Sequence, residues 1–288
     1  MNTLLKLRKK IIKRFKKIYY SLAYYIFSPK YGINTYGERE RKVIVSLTSY
    51  PARFSTIHIC IKSLLNQTCK PDKVILYLGK DCTAKDITKE MKKLENYGLE
   101  IKMGYEDIRP HKKYYYAMQE YPNDIVVTVD DDVIYDRNLI ESLMESYSKY
   151  PYAVSARRVH NIIKSEKNLQ PYNKWEFECT SIQEPSMNLI AIGVGGILYP
   201  PACMSERVFD LKSIKKICLN ADDIWLKFMQ VINSTPVVWV DSTFIHPVSI
   251  RGIQGLALNS SNLIESENDL YINKMEDYLN IKLVDYIE

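Results

Sequence analysis

From residue 38 onward the apolar positions change rhythm at regular intervals. Short solid runs of β-branched and aliphatic residues alternate with stretches in which apolar residues recur every three or four positions. Solid runs predict strands covered on both faces, and the longer period predicts helices. The first half reads as a strand over 43–48, a helix over 55–66, a strand over 73–78 closed by Gly79, and a helix over 86–97 ended by Gly98. A short strand over 99–103, a helix over 112–121 and a strand over 124–129 follow. This alternation predicts an α/β fold: a Rossmann-like, mainly parallel central sheet flanked by helices.

The second half is less regular. A helix is expected over 138–150 and a strand-like run over 153–163, which carries Arg157 and Arg158. Residues 165–187 are polar and aromatic and read as a loop or lid. The apolar run 189–198 contains Gly193-Val194-Gly195-Gly196, a glycine cluster that marks a bulge or a close backbone approach, here to a sugar ring or simply a tight turn. Asn220 stands where it can cap a helix running to residue 232. Asp222 and Asp223 in its first turn suit the helix dipole, while beside Trp225 they also suit a general base. A strand over 237–240 precedes His246.

Before residue 38 the pattern is different. Leu4, Leu7, Ile11, Phe15, Ile18, Leu22 and Ile26 step by three or four and fall on one helical face, with lysines largely elsewhere around it. Nine of the 40 Lys and Arg residues lie in 1–37, which hold no acid. The remaining 31 face 34 acids, a net charge of −3 for the rest of the chain. The chain's +6 therefore belongs to this segment. Its apolar stretch, 21–27, is too short to cross a bilayer. A basic amphipathic helix over residues 1–27 instead points to an anionic membrane surface. A helix packed on the body is the alternative. Nucleic acid is the weakest partner, because an apolar stripe adds nothing to phosphate binding.

Composition adds little beyond this. Apolar residues make up 46% and charged residues 26%, as in an ordinary folded protein. The 23 tyrosines suit sugar clefts and membrane interfaces alike, and also reflect biased composition. Six cysteines without a C-x-x-C pair, and no signal peptide, point to a reduced cytosolic setting rather than a disulfide framework. No G-x-G-x-x-G or P-loop signature is present, which speaks against a dinucleotide cofactor.

The chemistry concentrates at Asp130-Asp131-Asp132, directly behind the strand over 124–129, where an open α/β sheet places ligands. Three adjacent acids repel one another unless a cation collects them. Side chains alternate along an extended segment, so Asp130 and Asp132 point the same way and can share one Mg2+ or Mn2+. A solvated acidic turn is the plainer alternative. His246 could complete such a metal shell, although a lone histidine is more often structural.

Taken in order, these features resemble the GT-A-fold glycosyltransferases of the family 2 type found in bacterial capsule and lipopolysaccharide synthesis. The resemblance spans roughly residues 42–245. It rests on VIVSLTSYPAR at 43–53, SLLNQT at 63–68 with PDKV at 71–74, VDDD at 129–132 and ADD at 221–223. It implies a metal held by Asp130 and Asp132, with Asp130 and Asp131 toward the donor. It further implies nucleotide contacts from Pro51, Arg53 and Asp81, a basic residue toward the donor at Lys113, and Asp223 as catalytic base beside Asp222. Gly195, Gly196 and Trp225 are the acceptor-side candidates.

Together with the basic N-terminal pattern, the resemblance divides the chain into a membrane-surface helix (1–37), a GT-A domain (38–250, with a nucleotide half 38–135 and an acceptor half 136–250) and a C-terminal extension (251–288). It implies transfer, with inversion, from a nucleoside-diphosphate sugar to a saccharide or lipid-linked saccharide, in the bacterial cytoplasm at the inner face of the membrane. The chain departs from the family pattern at Leu78-Gly79-Lys80-Asp81 and in having Asp222-Asp223 where a Glu-Asp pair is usual. No Q-x-x-R-W motif appears, which favours single addition over polymerisation. A sugar-phosphate nucleotidyltransferase would need a glycine-rich basic signature that Thr48-Ser49-Tyr50-Pro51 does not supply. A non-catalytic sugar-binding scaffold would have no need of the two acidic clusters.

Overall fold

A computed structural model describes residues 18, 19, 22–24, 26, 28–166, 168–241, 248–250 and 261–288 of the 288-residue chain. In chain order the strands are β1 (Val43–Thr48), β2 (Lys73–Gly79), β3 (Leu99–Tyr105), β4 (Ile125–Thr128), β5 (Val133–Ile134), β6 (Val154–Ala156) and β7 (Val159–Asn161). They continue as β8 (Lys164–Ser165), β9 (Asn168–Leu169), β10 (Leu189–Ala191), β11 (Ile197–Tyr199), β12 (Val237–Trp239) and β13 (Val248–Ser249). Seven of them form one sheet in the order β12-β6-β11-β4-β1-β2-β3. Within it β11 runs antiparallel to both neighbours, and every other pairing is parallel. The mainly parallel sheet expected from the alternation is the sheet observed.

The solid apolar runs are explained by burial on both faces. Along β1, Val43, Val45 and Leu47 enter one layer with α1 (Ile57–Leu64), α2 (Lys89–Glu95) and α4 (Leu139–Lys149). Ile44 points the other way, against Tyr77, Val126 and Ala117 of α3 (Lys112–Glu120). A third apolar cluster lies under α5 (Asp222–Val231) and α6 (Ser261–Leu279) and joins the β6–β11 region to the C-terminal helix. Each fully buried aliphatic side chain contributes about 1.5–3 kcal/mol, so these layers hold the sheet's carboxyl edge rigid for the site above it.

Three elements differ from expectation. Helix α2 begins three residues late because Asp86 bonds back to Thr83, leaving Thr88 to cap by accepting from Met91 N at 3.2 Å. The run 153–163 is two strands rather than one. The chain turns at Arg157-Arg158, so that β6 stays in the main sheet and β7 pairs with β10. Asn220 is not the cap of α5: Ala221 holds that position with no side-chain cap, and both acids of the first turn are engaged elsewhere. Most of the expected amphipathic helix (residues 1–17), His246 and residues 251–260 lie outside the described residues. No helix among the described residues is long and apolar enough to cross a membrane.

Candidate active site

The acidic triplet begins two residues beyond β4, at the carboxyl edge of the sheet, and its side chains split by direction. Asp131 turns inward and is buried, accepting from Ser49 Oγ at 2.5 Å and pairing with Arg53. Asp130 and Asp132 stay partly open, their side chains 31% and 29% exposed. The fork of Arg53 also reaches Asp132, at 3.2 Å, and its guanidinium lies 5.2 Å from the centre of the Tyr50 ring. Arg53 is aimed by a single helical turn, Pro51–Arg53, in which proline presets the first backbone angle. Burial raises the Asp131 carboxyl to about 6, with Arg53 and Ser49 restraining the rise and Asp132 adding to it. Burial and the neighbouring Asp130 charge push Asp132 up as well. Two open hard-oxygen donors on one side, already repelling each other, fit a divalent cation. Among the described residues no set of three or more His, Cys, Asp or Glu side chains converges as a metal cluster, so this pair needs further ligands from a substrate or from water.

Lys113 joins this acidic edge to the second one. It lies in the first turn of α3, is 4% exposed, and sets its ammonium 2.8 Å from Asp130 and 3.0 Å from Asp222. Burial alone would discharge it. The carboxylates of Asp130, Asp222 and Asp223 outweigh that and hold its pKa well above the ordinary lysine value. Burial likewise works against ionising Asp222, but Lys113 and His111 keep it below the usual carboxylate range. Asp223 next to it moves the opposite way. Burial and the Asp222 charge raise it to about 8, against the pull of Lys113. Neighbouring acids with opposed proton affinities are the arrangement that divides charge stabilisation from base chemistry.

Gly193 completes the arrangement. Its N–H donates to both oxygens of Asp223, at 3.2 and 3.3 Å. A methyl group at this position would stand 2.9 Å from Lys113 Nζ and 3.5 Å from Asp130 Oδ1. A side chain here would press on the Lys113 ammonium and displace it from its carboxylates. Tyr135 ties the two loops together: its hydroxyl accepts from Asp130 N at 2.9 Å and donates to Val194 O at 3.2 Å.

Of the residues singled out in the sequence, Arg53, Lys113, Asp130, Asp131, Asp132, Asp222 and Asp223 come together here. Pro51 lies exposed at the rim, and Asp81 is exposed in the turn after β2. Gly195 and Gly196 face Arg158 and Leu139 instead of open space, and packing accounts for both. Trp225 is fully buried, donates Nε1–H to Val208 O and stacks 6.1 Å from Tyr278, which makes it a core side chain unable to meet an acceptor.

The close backbone approach expected of the glycine cluster reaches the site at Gly193 rather than at Gly195 or Gly196; sequence reasoning missed Ser49, Tyr135 and two buried bases. His111 bonds Cys218 O through Nε2 and Tyr114 through Nδ1, both at 2.8 Å, and so ties the start of α3 to the segment that leads into α5. Lys227 donates to Met187 O and Leu189 O, and burial lowers it to about 7. No local pattern could have marked these residues, since each acts across a large sequence separation.

A mainly parallel sheet with acids gathered at its carboxyl edge has the GT-A-like architecture of nucleotide-sugar transferases. The chain belongs to glycosyl transferase family 2, whose family model matches residues 45–207, more than half of its length. Among solved structures it is similar to the mannosyltransferase PcManGT from Pyrobaculum calidifontis in complex with GDP-Man and Mn2+. That similarity is 13% in identity over 92% of this chain and 72% of that one, with a TM-score of 0.50. A weaker likeness, 16% identical over 41% of this chain and 43% of the other with a TM-score of 0.32, is to glucosyl-3-phosphoglycerate synthase from Mycobacterium tuberculosis. No curated protein matches the chain in sequence.

Proposed function

We propose that this glycosyltransferase moves a sugar from a nucleoside-diphosphate sugar to a saccharide hydroxyl, with Asp223 as the base. The observation that carries the reading is Lys113, one buried ammonium between Asp130 and the Asp222-Asp223 pair. Asp130 and Asp132 would hold Mn2+ or Mg2+, which when bound supplies Lewis-acid stabilisation of the departing diphosphate. The GDP-Man and Mn2+ bound by PcManGT support that assignment. Arg53 holds Asp131 and Asp132 in place, and Lys113 adds fixed positive charge near the diphosphate. Asp223, already oriented by Gly193 N–H, takes the proton of the attacking hydroxyl. A single displacement of this kind inverts the anomeric centre.

Residues 38–135 serve the nucleotide, residues 136–250 the acceptor, and 251–288 form an extension. The acceptor is a lipid-linked saccharide of bacterial surface polysaccharide synthesis, met at the inner face of the cell membrane through residues 1–27. Thermal stabilisation by a panel of nucleoside diphosphates, each with and without Mn2+, tests the donor side. A shift that needs both nucleotide and metal is expected, and the absence of any shift would refute the reading.

A further inference from the structure

Of the described members of the N-terminal helix's stripe, Ile18 is half-buried and the two nearest the body are open. Leu22 is 55% exposed and Ile26 is 67% exposed, one helical turn apart, while Tyr24 on the other side packs against the core beneath α1. The chain then runs along the body, with Gly32 N bonding Leu65 O and Asn34 N bonding Pro71 O. Here Tyr31 and Tyr36 remain open, 36% and 81% exposed. Three cations gather on Tyr31: Lys30 at 5.3 Å, Arg137 at 5.3 Å and Lys70 at 5.8 Å from the ring centre. Lys70 also lies 5.0 Å from the Tyr36 ring, and Arg137 donates to the Tyr31 hydroxyl at 2.9 Å. Among the described residues none of the three cations is ion-paired with a carboxylate, although nearby Arg39 is, with Asp72. Converging cations without a counter-ion call for an anion from outside. The open tyrosines among them, and the exposed Leu22 and Ile26 a few residues earlier in the chain, call for an interface between water and lipid.

We propose that Lys30, Tyr31, Tyr36, Lys70 and Arg137 form a second membrane contact, on the folded body, that binds anionic lipid headgroups. It extends the proposed contact of residues 1–27 and rests on that reading. The exposed stripe of Leu22 and Ile26 inserts at the headgroup boundary, and the cations beside it take the phosphates. Together the two parts fix the enzyme's orientation on the surface, which a single helix would leave free to swing.

The test is sedimentation of the full chain with phosphatidylglycerol–phosphatidylcholine vesicles, beside pure phosphatidylcholine vesicles. The wild type is expected to bind the anionic vesicles, and Lys70→Glu with Arg137→Glu is expected to lower that binding at least tenfold, each basic residue near lipid adding about 1 kcal/mol. The melting temperature and the nucleotide-induced shift should remain as in the wild type, which separates this contact from the catalytic reading. Should the double reversal unfold, Lys30→Glu with Tyr36→Ser, both positions exposed, carries the same expectation. Binding unchanged by reversal would overturn the proposal, as would a wild type that ignores anionic vesicles. Release of the bound protein by millimolar inorganic phosphate at constant ionic strength would also overturn it, by showing a free-phosphate site.

Discussion

Asp223 and Lys113 carry opposite burdens in the same buried space, and their substitutions separate the two. Asp223→Asn keeps the shape but cannot accept a proton, so transfer should fall by about 10²–10⁴-fold while calorimetry finds donor affinity nearly intact. Because Asp223 is raised to about 8, activity should climb with pH through that region in a pH–rate profile of the wild type. The same shift predicts the sign of a stability effect. A carboxyl whose folded pKa lies above its unfolded one is held protonated by the fold. Its contribution is therefore complete below about 4 and is lost as pH rises toward 8. Melting curves across that window should slope downward in the wild type, and less so in Asp223→Asn. Lys113→Met leaves three acids without their shared cation and should cost about 3–5 kcal/mol in chemical denaturation. A loss below 1 kcal/mol would mean that water already screens the cluster.

Among the elements, those with purely local causes were legible. Strands β1, β2 and β4 announce themselves because both faces are covered, and α3 and α4 because one face is. The edge strand β3 is partly exposed and α1 is buried all round, and both are read from their place in the alternation. Helix α2 shows the same locality: Thr88→Ala should lower stability by about 1 kcal/mol and leave transfer untouched, as thermal melts and product assays would show. The triplet was legible too, since alternation alone separates Asp131 from Asp130 and Asp132. What escaped was set by partners far along the chain. Asp222 and Asp223 look like capping acids to any local rule, yet one meets Lys113 and the other Gly193, 30 residues before it. Trp225, named as an acceptor-side candidate, points into the core because α6 covers α5. At the break, Arg157 pairs with Asp136, 2.8 Å away in the loop between β5 and α4, a partner no local rule reveals.

At the scale of the whole molecule, two acidic clusters far apart in the chain, Asp130–Asp132 and Asp222–Asp223, meet at one edge through Lys113. Asp132→Ala should abolish any metal-dependent part of nucleotide stabilisation in thermal shift assays. A full metal response in that variant would move the ligands elsewhere. The edge also imposes a sequence of events, through the lysine that acids of both clusters share. A diphosphate arriving beside Asp130 competes for that ammonium, and whatever share it takes is withdrawn from Asp222. On the proposed mechanism the proton affinity of Asp223 would then rise once the leaving group is in place, so the pH at which the base is free to act would be set by the first substrate.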